Sequence, residues 1–155
     1  MAAWFEDEEF WIKNGPLMFH AALWDEVPEV VDGILRLAGP DLPLGARILD
    51  TCCGVGRHSI ELALRGWAVT GIDITDAYLE AARDSAEAFG CRPDFLHADL
   101  RSFRQAGAYG LALNLFRSFG YFDDPADDRA ALANIAASLA PGGVFILEGL
   151  GKELA

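Results

Sequence analysis

The sequence predicts an α/β fold built on a doubly wound, mostly parallel sheet. Three observations predict it. Short apolar runs alternate with helical patterns from residue 46 onward, a glycine-rich turn joins the first run to a helix, and acidic residues close or follow the first three runs. A strand, a helix and a second parallel strand are linked by a right-handed crossover, so helices cover both faces of such a sheet.

The elements follow in order. Residues 4–24 mix acids with Trp4, Phe5, Phe10, Trp11, Phe19 and Trp24, and Asn14-Gly15-Pro16 is expected to split this stretch into two short helices. Residues 26–37 place Val27, Val30, Val31, Ile34 and Leu35 on one helical face. Gly39-Pro40 and residues 43–45 make a turn-rich approach to a buried strand at 47–50. A helix at 58–65, a strand at 68–72 and a helix at 77–89 follow, with Leu79, Ala82, Ala86 and Phe89 inward. Strands are expected at 93–97, 110–114 and 143–147, the last preceded by a helix at 129–139 and a turn at Pro141-Gly142-Gly143.

The 155 residues suffice for one domain with one core. A composition of 52% hydrophobic and 23% charged residues, with Gly 16 against Pro 7, excludes bulk disorder, a collagen-like repeat and a disulfide scaffold. The formal net charge of −12, with no basic run, disfavours nucleic acid as a partner. Cys52 and Cys53 are adjacent and Cys91 is remote, so zinc-ligand spacing is absent and no metal is expected. No apolar run approaches the ~20 residues that span a bilayer, and the N-terminus does not read as a signal peptide. A soluble, cytoplasmic protein without a membrane partner is the expectation.

The informative segment is ILDTCCGVGRHS, residues 48–59. An apolar strand ends at Asp50, glycines stand at 54 and 56, and a helix begins near Arg57. Such a turn lets backbone N–H groups approach a ligand, because glycine removes the Cβ that would block it. Asp73 ends the second strand, near the spacing of ~20 residues at which a carboxylate meets ribose hydroxyls in doubly wound sheets. Asp99 follows the third strand on the same carboxyl edge. A turn glycine after a strand is common structure by itself; the joint placement of Asp50, Gly54, Gly56, Asp73 and Asp99 points to nucleoside binding. A P-loop is excluded, since no Gly-Lys-Ser/Thr closes the turn. Gly54-x-Gly56-x-x-Ser59 nearly fits a dinucleotide fingerprint, yet Asp50 would add negative charge beside a pyrophosphate and suits a cationic ligand better.

These residues resemble the class I S-adenosylmethionine-dependent methyltransferases. Residues 48–56 resemble the first motif of that family, VTGIDIT (69–75) the second, and HADL (97–100) the third. NLFRSFGYF (114–122) resembles the fourth-strand segment of the small-molecule branch, and LAPGGVFILE (139–148) the approach to the fifth strand. The resemblance implies a Rossmann-like sheet and S-adenosyl-L-methionine as cofactor, with methyl transfer to O, N or C of a small molecule. It implies cofactor contacts from Asp50, Cys52, Gly54, Gly56, Asp73, Ile74, Asp99, Leu100 and Asn114. Asp73 would take the ribose hydroxyls, Asp99 the adenine amino group, Leu100 a backbone contact, and ionised Asp50 the surroundings of the methionyl amino group. Asn114, Tyr121 and His20 are the candidates on the acceptor side.

Two departures stand out. The family's first turn glycine falls at Cys52, which brings a Cβ toward the methionine portion. The family's last two strands are missing after the fifth, so a C-terminally truncated core at 46–155 is expected, or a homodimer covering the strand-five edge. Residues 1–45 would form a helical, substrate-side lid; their aromatics equally suit plain docking on the sheet. Phe119 and Phe122 suit either core packing or the acceptor wall. Arg117 suits either an acidic ligand group or a surface ion pair, and His58 either helix packing or an approach to the cofactor. The competing readings are a cofactor-binding or scaffold protein without catalysis, and a nicotinamide-dependent oxidoreductase. No Asn-Pro-Pro-Tyr-like motif stands near Asn114, which argues against DNA adenine methylation.

Overall fold

The computed structural model describes residues 3–149 except Asp41 and Leu44, which lie in the expected turn-rich approach; residues 150–155 also lie outside it. A 3-10 turn at Trp4–Glu6 leads into α1 (Glu8–Met18), α2 (Ala21–Asp25) and α3 (Val27–Ala38). Then come β1 (Arg47–Thr51), α4 (Arg57–Leu64), β2 (Ala68–Asp73), α5 (Asp76–Phe89), β3 (Asp94–His97), β4 (Tyr109–Asn114), α6 (Pro125–Ser138) and β5 (Leu139–Leu147). The five strands form one sheet of order β3-β2-β1-β4-β5, with every pairing parallel. This is the doubly wound α/β architecture, with the five strands the sequence predicts among the described residues.

The order reverses between β1 and β4, and in such sheets ligands bind outside the carboxyl ends at that reversal. Ile48, Asp50 and Gly71 share one face of the pleat, while Leu49, Thr51 and Ile72 share the other. On the first face, Val31 and Ile34 of α3 and Leu62 of α4 pack on Ile48, Val69 and Leu111. Beside them, Leu79, Ala82 and Ala86 of α5 pack with Ile60 around Phe95. On the second face, Ala131 and Ile135 of α6 pack on Leu49 and Ala112. Strands buried on both sides explain why β1 and β4 read as near-continuous apolar runs.

Four local expectations need correction. Phe89, expected inward, is 56% exposed at the end of α5, where it stacks on Trp24. α1 runs straight through Asn14-Gly15-Pro16. Pro16 lies in the last turn, so its missing N–H costs one bond. Asn14 Nδ2 donates to the Phe10 carbonyl at 2.7 Å, and Gly15 lets the helix lie against the Tyr78 ring. The chain breaks instead at Asp7, which caps α1 by accepting from the Glu9 and Phe10 N–H groups, and at Phe19. α6 begins at Pro125 rather than near 129, with Asp124 as N-cap accepting from the Ala126 N–H at 2.8 Å; the proline at the first helical position is a start signal. Pro141–Gly143 lies within β5, where the register shifts between Tyr109 and Leu111 and the surplus residues bulge out.

Gly56, the N-cap of α4, has φ +74°, and a Cβ there would meet Phe95 Cζ at 2.6 Å and Ala82 Cβ at 2.9 Å. Gly66 has φ +91° but open space around it. Gly56→Ala is therefore expected to cost about 3 kcal/mol, backbone strain plus overpacking, against ~1 kcal/mol for Gly66→Ala. Midpoints of urea unfolding for the two variants check this; equal losses would place no packing demand on Gly56.

Candidate functional site

The carboxyl ends of β1, β2, β3 and β4 open into one cavity of about 430 Å³. Asp50, Cys52, Gly54, Asp73, Ile74, Asp99 and Leu100 all line it. Seven predicted cofactor residues from three strand ends thus share one space. Its roof comes from the N-terminal helices through Phe5, Trp11, Phe19 and Leu23.

The floor is fixed by Asp73. Its Oδ2 accepts from the Gly54 N–H at 2.8 Å, and its Oδ1 accepts from the Thr75 N–H at 2.9 Å. One carboxylate therefore ties the turn after β1 to the start of α5. Burial pushes the Asp73 carboxyl above its ordinary range, and the N–H groups of Thr75 and Gly54 oppose that rise. A carboxylate oxygen accepts more than one hydrogen bond, so Asp73 can take a ligand hydroxyl beside these donors.

Asp50 is deeper, with only 2% of its surface exposed. Ser59 Oγ donates to its Oδ2 at 2.6 Å. Burial pushes its carboxyl up to about 6, Asp73 adds to the rise and Ser59 opposes it. Cys52 has φ +55°, the left-handed region, so the position where the resemblance expects glycine does have a backbone that favours glycine. Burial pushes the Cys52 thiol far up, which removes it as a nucleophile.

Asp99 stands at the far end. Arg101 Nε donates to its Oδ2 at 2.9 Å, and the Arg101 backbone N–H donates to Oδ1 at 2.7 Å. Burial acts to raise the Asp99 carboxyl, but the Arg101 contacts hold it below its ordinary value. Arg101 also donates to Glu6 at 2.6 Å and lies over the rings of Phe5 and Phe122 at 5.5 and 5.3 Å. It thereby links the N-terminal segment to the loop carrying Asp99 and Leu100. Asn134 of α6 holds that loop from below, donating to the carbonyls of Leu100 and Arg101.

The acceptor-side candidates separate. Tyr121 lines the cavity, stacked on Trp11 at a centroid distance of 6.2 Å and tilted against Trp4 at 5.0 Å. Asn114 does not line it. Wholly buried, it donates through Nδ2 to Thr51 Oγ1 at 2.9 Å, and its backbone carbonyl accepts from the Glu148 N–H. The full burial of β4 turns this strand-end amide into the sheet instead of the cavity. His20 is exposed at the N-cap of α2 and lies outside the cavity wall. Gly56 faces Phe95 and Ala82 rather than the cavity, so its role is close packing of helix on strand. Of the N-terminal aromatics, Trp24 leaves the site and stacks on Phe89.

One residue is missing from the sequence reading, Arg57, while His58 is there divided between helix packing and an approach to the cofactor. Arg57 and His58 open α4, line the cavity and are each only 4% exposed. Their signal was available: polar residues directly after a glycine turn start a helix whose first N–H groups face the ligand side. Among the described residues no group of His, Cys, Asp and Glu could hold a metal ion.

The arrangement offers carboxylates for hydroxyl and amino groups, an acid suited to a cation, and an aromatic wall. Comparison with known proteins agrees with that chemistry. The family model described as a methyltransferase domain matches residues 48–143. An S-adenosyl-L-methionine-dependent Diels-Alderase of Talaromyces variabilis is 36% identical over 110 residues, covering 68% of this chain and 37% of that protein. A dTDP-3-amino-3,4,6-trideoxy-alpha-D-glucopyranose N,N-dimethyltransferase of Streptomyces venezuelae is 31% identical over 108 residues, covering 68% of this chain and 43% of that protein. Among solved structures, S-adenosylmethionine-bound CalS10, an amino pentose methyltransferase of Micromonospora echinaspora, superposes with a TM-score of 0.69 at 34% identity, over 85% of this chain and 53% of that one. The chain spans about half the length, or less, of these relatives. With the matched segment running from the start of β1 into β5, the chain belongs to the class I S-adenosylmethionine-dependent methyltransferase domain family.

Proposed function

We propose that the protein binds S-adenosylmethionine in the 430 Å³ cavity and transfers its methyl group to O, N or C of a small molecule. The observation that carries the reading is the Asp73 carboxylate, which lines the cavity while accepting from the N–H groups of Gly54 and Thr75. The residues suit this cofactor. Asp73 would take the ribose diol, and Asp99, already gripped by Arg101, would accept from the adenine amino group with its remaining capacity beside Leu100 and Ile74. Asp50 would face the methionyl ammonium across Gly54 and Cys52. When bound, the cofactor supplies an activated methyl group and a neutral thioether leaving group.

The chain's own work is positioning and exclusion of water. Trp11 and Tyr121 stack at the cavity wall with Trp4 tilted against both, and residues 1–45 serve as the lid in this reading. Burial pushes the Tyr121 hydroxyl upward, so at neutral pH it donates a hydrogen bond to the acceptor rather than removing a proton. The Phe19 ring must yield: its Cζ would lie 2.9 Å from a Cβ on Gly54, in the space from which a ligand approaches that turn.

The net charge of −12 favours a small-molecule partner over nucleic acid. Among the described residues, no helix is long and apolar enough to cross a membrane. One relative is named as an aminosugar nucleotide dimethyltransferase, so dTDP-linked amino sugars are the first acceptors to assay, with exposed Arg117 at the rim available to an anionic group. The half-buried β5 edge, with Leu147 46% exposed, is where a second copy would pair. A nucleoside-binding protein without methyl transfer is the second reading, favoured by the Phe19 ring over Gly54 and by Cys52 in the turn.

Calorimetric titration with S-adenosylhomocysteine tests the binding step. Saturable binding is expected, with at least a tenfold loss in Asp73→Ala, because charge-assisted hydrogen bonds of ~1.5–3 kcal/mol each disappear. A folded chain that binds neither S-adenosylmethionine nor its demethylated product would overturn the proposal.

Asp50 gives a pH test. Its carboxyl rises from 3.8 to about 6 on folding, so the folded state holds the proton more tightly than the unfolded chain. Keeping it ionised costs about 3 kcal/mol above pH 6, a penalty that fades as pH falls toward 3.8. Ligand-free Asp50→Asn should thus unfold later than the parent chain at pH 7.5, and the difference should vanish near pH 4. Affinity for the cationic amino-acid end runs the other way: it should weaken as pH drops through 6 in the parent chain and be about tenfold weaker in Asp50→Asn at pH 7.5. Paired denaturation and titration series at both pH values read the two signs separately.

A further inference from the structure

Residues 3–19 lie across the site as an arm with almost no core of its own. Within them only Phe5 and Gly15 are buried, while Trp4, Phe10, Ile12, Leu17 and Met18 are exposed. α3, by contrast, buries Val27, Val31, Ile34 and Ala38 in the core on the first face of the sheet. α2 is tied to the body as well: Arg57 Nη1 donates to the Leu23 carbonyl at 3.1 Å, and Trp24 stacks on Phe89. A segment with so few buried apolar contacts opens at far lower cost than the whole fold.

The arm is knit together internally and pinned externally. Inside it, Trp11 Nε1 donates to the Phe5 carbonyl at 2.7 Å, so the 3-10 turn and α1 move together. Outside it, Arg101 donates to Glu6 at 2.6 Å, the Ala77 N–H donates to Glu8 Oε1 at 3.0 Å, and the Tyr78 hydroxyl donates to the Trp11 carbonyl. Each pin is wholly or partly exposed. Arg101 also grips Asp99, so one guanidinium holds both the arm and a cavity carboxylate.

Phe19 stands at the end of the arm. It is the C-cap of α1, with φ −130° and ψ 36°, and His20 after it is extended, so the helical backbone is broken there. The Phe19 ring meets Tyr78 edge-on at 5.0 Å and covers Gly54, where a Cβ would lie 2.9 Å from Phe19 Cζ. Gly15, one turn earlier, rests on the same Tyr78 ring. Tyr78 thus bears on both residues, and a shift of α1 over it carries the Phe19 ring along. We propose that residues 3–19 are a self-occluding gate, in which Phe19 occupies the ligand side of the Gly54 turn, residues 19 and 20 are the hinge, and the Glu6–Arg101 pair is the latch that sets the rate of ligand exchange. This rests on the S-adenosylmethionine reading and adds its regulation: the cofactor enters when the arm lifts as a unit.

Stopped-flow mixing with S-adenosylhomocysteine, read by tryptophan fluorescence, tests the latch. Glu6→Gln should raise the association and dissociation rates together by about two- to fivefold, the factor that a part-exposed ion pair contributes. Phe19→Ala should raise association by roughly tenfold and tighten binding, because no ring then has to leave Gly54. Added sodium chloride should speed the parent chain more than Glu6→Gln, since S-adenosylhomocysteine carries no net charge and screening acts on the latch. A ring that turns aside by itself would leave Glu6→Gln indistinguishable from the parent, which overturns the gate. Amide hydrogen exchange reads the arm without any ligand. The Ala77 N–H should exchange about twofold faster or more in Glu6→Gln, while that of buried Leu49 in β1 stays unchanged. Equal Ala77 exchange in parent and variant overturns the gate. A chain that binds no S-adenosylhomocysteine yet shows the faster Ala77 exchange overturns the cofactor reading and leaves the gate standing.

Discussion

The bond from the Gly54 N–H to the Asp73 carboxylate is the constraint on which the rest of the site depends. Parallel strands leave their carboxyl ends uncoupled beyond the last ladder bond, and the loops that follow are free to diverge. Here one side chain spans the gap between the β1 and β2 loops and simultaneously holds the Thr75 N–H at the start of α5. Gly54 itself is left-handed at φ +55°, a conformation that favours glycine. The Cys53 N–H extends the β1–β2 coupling by donating to the Ile72 carbonyl at 3.0 Å. Below, Gly56 and Gly71 admit the Phe95 ring to contacts that any Cβ would block. A ligand-facing turn and a tightly packed underside are thus two faces of one short segment.

The electrostatics of the cavity follow from what this scaffold buries. Asp50 and Asp73 are both raised by burial, while Asp99 is held down by a guanidinium that also grips Glu6. A fold optimised for its own stability would pair or remove the first two. Their persistence beside an unbridged Arg57 means that the ligand-free cavity holds unfavourable desolvation that opposite charges can relieve. Arg101 does the reverse: its contacts with Asp99, Glu6 and Asp127 are satisfied within the chain, so they fasten the N-terminal segment over the Asp99 end of the cavity.

The strands and the acids at their ends were legible because burial on both faces writes a continuous apolar run into the sequence, and the carboxylates that follow interrupt it abruptly. Asp50, Asp73 and Asp99 could be placed in one cavity before any coordinates. What remained hidden depends on side-chain direction. Asn114 and Tyr121 look equally suited to an acceptor site, yet the pleat sends the Asn114 amide toward Thr51 while the loop after β4 swings Tyr121 onto Trp11. Pro16 reads as a breaker because sequence cannot show that it falls in the final turn, where only one bond is at stake. Arg57 reads as an ordinary helix residue and His58 stays divided between helix packing and the cofactor, since burial of a helix's first turn is a tertiary property.

Backbone strain supplies a line of argument independent of charge. Among the described residues, Cys52, Phe116 and Arg117 are the non-glycine residues with left-handed φ, at 55°, 55° and 63°. All three line the cavity. A left-handed L-residue costs ~1–2 kcal/mol and persists only where its surroundings over-determine it. Phe116 is held by the Arg57 guanidinium over its ring and by its N–H donating to Glu148 at 3.0 Å. Cys52 is held more loosely, with its thiol 3.9 Å from the Ser118 carbonyl and 3.8 Å from Asn114 Nδ2. These contacts join the turn after β1 to the loop after β4, the two loops that flank the reversal of strand order. Strain concentrated on that seam couples the two loops: relaxing one of the three residues would loosen the neighbour across the reversal, while the Phe19 ring over Gly54 is the part of the wall that has to move.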